Sequence, residues 1–234
     1  MKVAIMQPYL FPYIGYFQLM NAVDEFVVYD NIEFTKKGWI NRNRILMNGV
    51  DTMISFPLKK DSDFLPIKDR YLADNWPTDR KKLLNKIAEL YKKAPYFKDA
   101  FPVVEEIILS EEMNLFKYLL HSLEILKVYL GILTPLIISS NINVDHGLKS
   151  ADKVMAICNK IGATVYINPI GGIDLYQKES FKNNGLELHF LKTGNVIYNQ
   201  FGNTFVPFLS IIDVMMFNDQ PTIHHFINQQ FDLL

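Results

Sequence analysis

The sequence predicts an α/β fold: a mostly parallel sheet with helices on both faces, together with a β-hairpin and a helical insertion. Three observations predict it. Short apolar runs alternate with segments of helical spacing towards both ends of the chain. The stretch from Leu136 to Asn168 reads as strand, helix, strand, the order of a parallel crossover. An Asn48-Gly49 pair lies between two strand-like runs, as a tight hairpin turn requires.

Taken in order, Lys2 to Met6 is a short buried strand that stops at Gln7-Pro8. Tyr13 to Ala22 follows, with Ile14, Phe17, Gln18 and Met20 at mostly helical spacing, and EFVVYD (Glu25 to Asp30) is a second strand. Strand, short helix and strand in that order predict a parallel pair. WINRNRILMNGVDTMISFPLK then forms the hairpin. From 78 to 131 the pattern turns helical. Thr78 is placed to cap a helix with Leu83, Leu84, Ile87, Leu90 and Tyr91 on one face, ended by Pro95. Helices near 99–109 and 114–130 follow, the last closed by Gly131. Leu136 to Ser139 is a strand, and Ser150 is placed to cap a helix striped with Val154, Met155, Cys158 and Ile161. Gly162 stops that helix before the strand ATVYIN. Asp174 is placed to cap the next, which ends near Asn184-Gly185 before the strand LELHFL. Pro207 opens a last helix through Asp213 to Phe217, expected as an edge element. The whole is Rossmann-like. With no repeat, low-complexity segment or Pro/Gly/Ser-rich linker, one domain over residues 1–234 is expected.

Composition narrows the function classes. A hydrophobic fraction of 49% against 21% charged residues suits a chain that buries a real core. The net charge of −1 gives no global field towards nucleic acid or an anionic membrane, so neither is an expected partner. The single cysteine, Cys158, excludes an internal disulfide and fits a reducing compartment. The apolar N-terminus is broken by Pro8, Pro12 and Gly15 and lacks a small-residue cleavage site, so no signal peptide is expected. No run approaches the roughly 18 apolar residues of a spanning helix. A cytoplasmic location is the expectation.

Ligands of open α/β sheets bind beyond the carboxyl ends of the strands, which selects four segments. The first is Gln7-Pro8-Tyr9 through Gly15-Tyr16, where prolines stiffen a loop and Gln7 offers a donor and an acceptor. The second begins at Asp30 and includes Lys36, Trp39, Asn41, Arg42 and Arg44. Residues 31–46 carry four cations (Lys36, Lys37, Arg42, Arg44) against the single Glu33, a net of +3. Arg and Lys suit phosphate, and Trp39 offers a stacking face. Strand alternation puts Arg42 and Arg44 on one side and Asn41 and Asn43 on the other. The bland alternatives are a stiffened connection and a solvated hairpin.

The third segment is Ser139-Ser140-Asn141, with His146 and Lys149 in the loop that follows. Its hydroxyls can hold phosphate, satisfy a turn, or supply a nucleophile with His146 as base. The fourth is Asn168-Pro169-Ile170-Gly171-Gly172, where paired glycines let a ligand approach the backbone; the sequence fits neither a Walker loop nor a dinucleotide fingerprint. Cys158 lies on the apolar stripe of its helix and reads as a buried thiol. His224-His225 would face different sides of a helix, so no structural metal is expected, and no cofactor is named by any motif. Asp213 is placed to hydrogen-bond a loop or to orient a site residue.

Four segments together carry a resemblance. QPYLFPYIGYFQ, VVYDNIEFTKKGWINRNRI, YINPIGGIDLY and FVPFLSIIDVMMFN, in this order from Ala4 to Asn218, resemble the WbqC-like protein family. The resemblance implies a place in O-antigen or other surface-glycan synthesis and, from some members, transfer of glycine or another acyl group to an amino sugar. It supplies no established catalytic residues; the positions it singles out include Ser140, Gly171, Gly172, Tyr176 and Asp213. A looser similarity links the first strand, loop and helix to nucleotidyl-transferring Rossmann-like enzymes. Pro12-Tyr13-Ile14-Gly15-Tyr16 stands where those carry two histidines. The expected ligand is a phosphorylated small molecule or sugar nucleotide, with an acyl carrier protein as a donor partner. Arg42, Arg44 and Lys36 are expected to hold phosphate, Trp39 or Tyr9 to stack, and Asp30 to act as base. A non-catalytic sugar-nucleotide binding protein and a nucleotidyltransferase are the alternatives.

Overall fold

A computed structural model describes residues 1–202 and 204–234. Its main sheet has six strands in the order β5-β2-β1-β6-β7-β8. These are β1 (Lys2–Met6), β2 (Glu25–Val28), β5 (Leu136–Ile138), β6 (Val165–Pro169), β7 (Glu187–Thr193) and β8 (Phe231–Leu233). All neighbouring pairs are parallel except β7 with β8. The hairpin β3 (Arg42–Met47) and β4 (Val50–Ser55) forms a separate antiparallel pair. Its turn residues Asn48 and Gly49 both have positive φ, at 53° and 77°, the conformation of a type I′ turn.

The strands alternate between two cores, as a period of two requires. Ala4, Phe26, Val28, Ile167 and Leu191 face one. Val3, Ile5, Val27, Tyr166 and Phe190 face the other. The first core takes helix α1 (Ile14–Asn21), the hairpin and the helical insertion: α2 (Trp76–Tyr91), α3 (Phe97–Ile108) and α4 (Leu115–Tyr129). It also takes α7 (Ile211–Phe217) and α8 (Gln220–Gln229). The second takes α5 (Ser150–Lys160) and the short α6 (Lys178–Asn183).

Four expectations need correction. Thr78 does not cap α2: the helix begins at Trp76 with Asn75 in the cap position, because Pro77 fits a first turn that needs no N–H. Ser150 is the first residue of α5 rather than its cap, with φ 48°. Asp174 lies inside a 3-10 turn, Ile170–Leu175, and α6 starts only at Lys178. That turn is tight: Gly172 lies against the Asn168 amide, where a Cβ would overlap Nδ2. Finally, α7 starts at Ile211 with Ser210 in the cap position rather than at Pro207, and it is neither the last helix nor an edge element. Every one of its residues is buried, as an all-apolar stretch with one acid demands. The edge is β8, reached through α8, whose N-cap Asp219 accepts the Thr222 N–H at 2.9 Å. No described helix is long and apolar enough to cross a membrane.

The order of the strands fixes where a ligand would sit. From β1 the chain moves outward to β2 and β5, then returns to β6 on the other side and continues to β7. The direction reverses between β1 and β6, and the crevice beyond their carboxyl ends is the expected binding position.

Candidate functional site

A cavity of about 360 Å³ lies at that point. The ends of β1 and β6 contribute Met6, Pro169 and Ile170, and β7 adds Leu191 and Thr193. The loop after β1 and the first turns of α1 bring Tyr9, Tyr13, Gly15 and Tyr16. Trp39, Asn43 and Arg44 come from the segment after β2, and Phe208 from the loop after β7. The walls are mainly apolar, with Tyr9, Tyr13, Tyr16, Trp39 and Phe208 supplying aromatic faces. Burial raises the pKa of the Tyr9, Tyr13 and Tyr16 hydroxyls, so all three stay protonated at neutral pH.

Local chemistry explains how the loops are held. Phe11 has φ 42°, a conformation that costs a non-glycine residue about 1–3 kcal/mol. Asn43, buried on β3, offsets this: Nδ2 donates to the carbonyls of Leu10 and Phe11 at 2.9 and 2.8 Å. The Leu10 N–H donates to the Trp39 carbonyl at 3.0 Å, tying the same loop to the cationic segment. Gly15 packs so closely on β7 that a Cβ would overlap Thr193 Oγ1. Gly15→Ala should therefore destabilise the fold by about 1–3 kcal/mol in urea denaturation, because α1 and β7 would have to separate. A cost near zero would show that Thr193 simply rotates away.

Among the described residues, Arg44 is the one charged group of the cavity wall. Its guanidinium stands 5.3 Å from the Trp39 ring centroid, and Nη1 pairs with Asp51 at 3.1 Å. Nε is buried without a partner. Nη2 reaches the Phe208 carbonyl at 3.4 Å. Phe208 is 61% exposed, holds φ 58°, and meets Tyr13 edge-on at 5.7 Å.

Of the residues singled out in the sequence, Tyr9, Gly15, Trp39 and Arg44 therefore meet in one cavity. Gln7 supports it through its carbonyl, which accepts the Tyr16 hydroxyl at 3.0 Å, and Pro8 is buried beside it. Others stand apart. Arg42 turns back on its own loop, with Nε donating to the Gly38 carbonyl at 3.0 Å and Nη2 to that of Lys37 at 2.5 Å. Lys36 pairs on the surface with Asp63 at 2.6 Å. Asn41 donates to the Phe56 carbonyl at 2.8 Å. Gly171 is exposed and Gly172 buried against Asn168. Tyr176 packs edge-on against Tyr166 and Phe181, on the other face of the sheet.

Asp30, Ser139, Ser140 and His146 form a second group on the same rim. Asp30 is buried, and its Oδ1 accepts the Ser140 N–H at 2.9 Å and lies 3.1 Å from Ser139 Oγ. The nucleophile–base pairing considered for Ser139 and His146 is not made. Asn31 stands between them, 2.6 Å from Ser139 and 2.8 Å from His146 Nδ1. Lys153 of α5 completes the group: its Nζ donates to the His146 carbonyl at 3.3 Å and lies 5.1 Å from the Tyr29 ring centroid. Burial lowers its pKa. Cys158 is buried in the second core, where desolvation pushes its thiol up to about 12 and leaves it unreactive.

Sequence reasoning took in Tyr13 only as part of the first segment, and missed Asn43, Thr193 and Phe208 in the cavity and Asn31 and Lys153 in the polar group. Asn43 had a signal in its register opposite the arginines. Lys153 had none, because it sits among the apolar residues of α5.

No solved structure matches the chain. The chain is 30% identical over 217 residues to "Uncharacterized protein Rv1507c" of Mycobacterium tuberculosis, covering 92% of each. The model of the WbqC-like protein family matches residues 7–225, a span that takes in the Gln7 loop, the Trp39–Arg44 segment and Phe208. The chain belongs to the WbqC-like protein family.

Proposed function

We propose that this protein is a transferase of bacterial surface-polysaccharide (O-antigen) synthesis, which seats a phosphorylated amino sugar or sugar nucleotide in the rim cavity and adds glycine or another acyl group to its amino group. The observation that carries the reading is the convergence of three loops at the switch point of the sheet: aromatic walls from Tyr9, Tyr13, Trp39 and Phe208 around the cation Arg44. A cavity of about 360 Å³ suits one ring rather than a whole sugar nucleotide. The ring would stack inside, while a phosphate at the mouth would compete with Asp51 for the guanidinium.

Calorimetry against a panel of sugar nucleotides tests this. Micromolar binding is expected for at least one, and Arg44→Ala should weaken it about tenfold or more, since a charge-assisted contact is worth roughly 1.5–3 kcal/mol. If no sugar nucleotide binds, the reading fails.

One observation favours the second reading, a non-catalytic binding protein of the same pathway. Among the described residues that line the cavity there is no carboxylate, imidazole, amine or thiol, and the tyrosine hydroxyls are held protonated. Such a protein would bind the sugar nucleotide and show no turnover with any aminoacyl or acyl donor.

A further inference from the structure

The group around Asp30 contains a conflict that turning one side-chain amide resolves. Asp30 is 1% exposed, and a buried carboxylate needs donors. Ser139 Oγ lies 3.1 Å from Asp30 Oδ1 and 2.6 Å from Asn31 Oδ1. A serine hydroxyl carries one proton and cannot donate to both. With the amide in that orientation, one pair of oxygens faces lone pair to lone pair. Turning the Asn31 amide end for end keeps its atoms in place and removes the conflict, since its oxygen and nitrogen differ only in the bonds they make. Ser139 then donates to Asp30, Asn31 Nδ2 donates to Ser139, and Nδ1–H of His146 donates to Asn31 Oδ1. All three donors point towards the buried charge, the arrangement a low-dielectric network favours.

We propose that Asp30, Ser139 and Asn31 form a positioning relay that holds the His146 proton on Nδ1 and presents its Nε2 lone pair to the rim as a general base. His146 is exposed, so Nε2 is open to a ligand. Lys153 anchors the loop by its bond to the His146 carbonyl. The relay lies on the same rim as the cavity, on the β2 and β5 side of β1. The Tyr29 N–H donates to the Met6 carbonyl at 2.7 Å, so Asp30, the next residue, is one strand out from the cavity wall at Met6. Ser139 is one strand further out, at a spacing of about 5 Å per strand.

For its substrate this inference rests on the transferase reading. In acyl transfer to an amino sugar, the sugar nitrogen bonds to the acyl carbon of an activated donor such as a thioester. The bond from that carbon to the activating group breaks, and its electron pair leaves with the group. The proton released by nitrogen passes to Nε2 of His146, and Asn31 holds the imidazolium through Nδ1–H. Asp30 is thus a positioning residue, and the base is the histidine.

Nitrogen NMR of the imidazole side chains, with His146 assigned by its loss in His146→Gln, reads the proton position without any substrate. The proton is expected on Nδ1 in the unaltered protein, and a mixture of tautomers in Asn31→Leu. A proton on Nε2 in the unaltered protein overturns the relay. Carbethoxylation by diethyl pyrocarbonate, which attacks an unprotonated imidazole nitrogen, gives a second readout. His146 should react severalfold more slowly in Asn31→Leu and regain its rate in Asn31→Asp, whose carboxylate accepts the same proton. Equal rates in all three proteins also overturn it. In the transfer assay, His146→Ala should lower turnover by about 10²-fold or more. Absence of transfer by the unaltered protein counts against the transferase reading alone, because the tautomer decides the relay independently.

Discussion

Replacing Asp213 by alanine should destabilise the protein by about 3–5 kcal/mol, enough to remove most of the stability of an ordinary domain. The carboxylate is fully buried on α7. Its Oδ1 accepts the Tyr91 hydroxyl at 2.8 Å, and its Oδ2 accepts the Tyr198 hydroxyl at 2.7 Å and the Gln200 amide at 2.6 Å. Tyr91 in turn accepts the Leu46 N–H at 2.9 Å. One side chain therefore joins α7, the end of α2, strand β3 and the loop after β7. Alanine would strand three buried donors, at about 1–3 kcal/mol each before relaxation. The same loop carries Phe208 to the cavity, so the loss would loosen the candidate site as well.

The network also sets a pH dependence. Burial raises the pKa of Asp213, and its three hydrogen-bond donors only partly oppose this. With the folded value above the unfolded one, the native state binds the proton more tightly. The resulting stability is fully present below the unfolded value near pH 3.9 and is lost as pH rises through the folded value. The stability advantage of the unaltered protein over Asp213→Asn should therefore grow as pH falls from neutral towards 4. Urea denaturation at several pH values measures it, and a constant gap would show that Asp213 has the same proton affinity folded and unfolded.

Much of this architecture is legible in the sequence because local signals agree with the fold. The strands β1, β2 and β6 are short apolar runs closed by turn residues, β7 alternates, and Asn48-Gly49 allows little but a hairpin turn. The final helix, α8, is not among the expected elements, although it leaves a trace, and the edge strand β8 is not expected at all. Asp219, Pro221, then Ile223, Phe226 and Ile227 form a cap, a first-turn proline and an apolar stripe. The site is legible only in part. The rule about strand ends finds Tyr9, Gly15, Trp39 and Arg44. Strand alternation puts Arg42 beside Arg44, yet Arg42 folds back because the carbonyls of Lys37 and Gly38 stand within its reach. Loop geometry decides that, and no periodicity records it. Phe208 and Asn31 owe their places to contacts with residues more than a hundred positions away, which a single sequence does not encode in any local pattern.

The second large effect is expected on binding. Trp39→Ala should cost about 2–4 kcal/mol of affinity for any sugar nucleotide the cavity accepts, or roughly 30- to 1000-fold in Kd. Trp39 serves the cavity twice: its indole forms one wall, and its face supports the Arg44 guanidinium at 5.3 Å. Truncation would remove a stacking surface and free the arginine to settle on Asp51. The backbone role survives, since the Leu10 N–H bonds to the Trp39 carbonyl rather than to its side chain. Stability should therefore fall by less than about 1 kcal/mol, as for a half-buried surface position. A double-mutant cycle with Arg44→Ala separates the two contributions. Additive losses would mean that indole and guanidinium bind independent parts of the ligand, while a coupling of about 0.5–1 kcal/mol is expected if the ring positions the cation. If Trp39→Ala binds as tightly as the unaltered protein, the ligand does not enter the cavity, and the switch point of the sheet is not where this protein works.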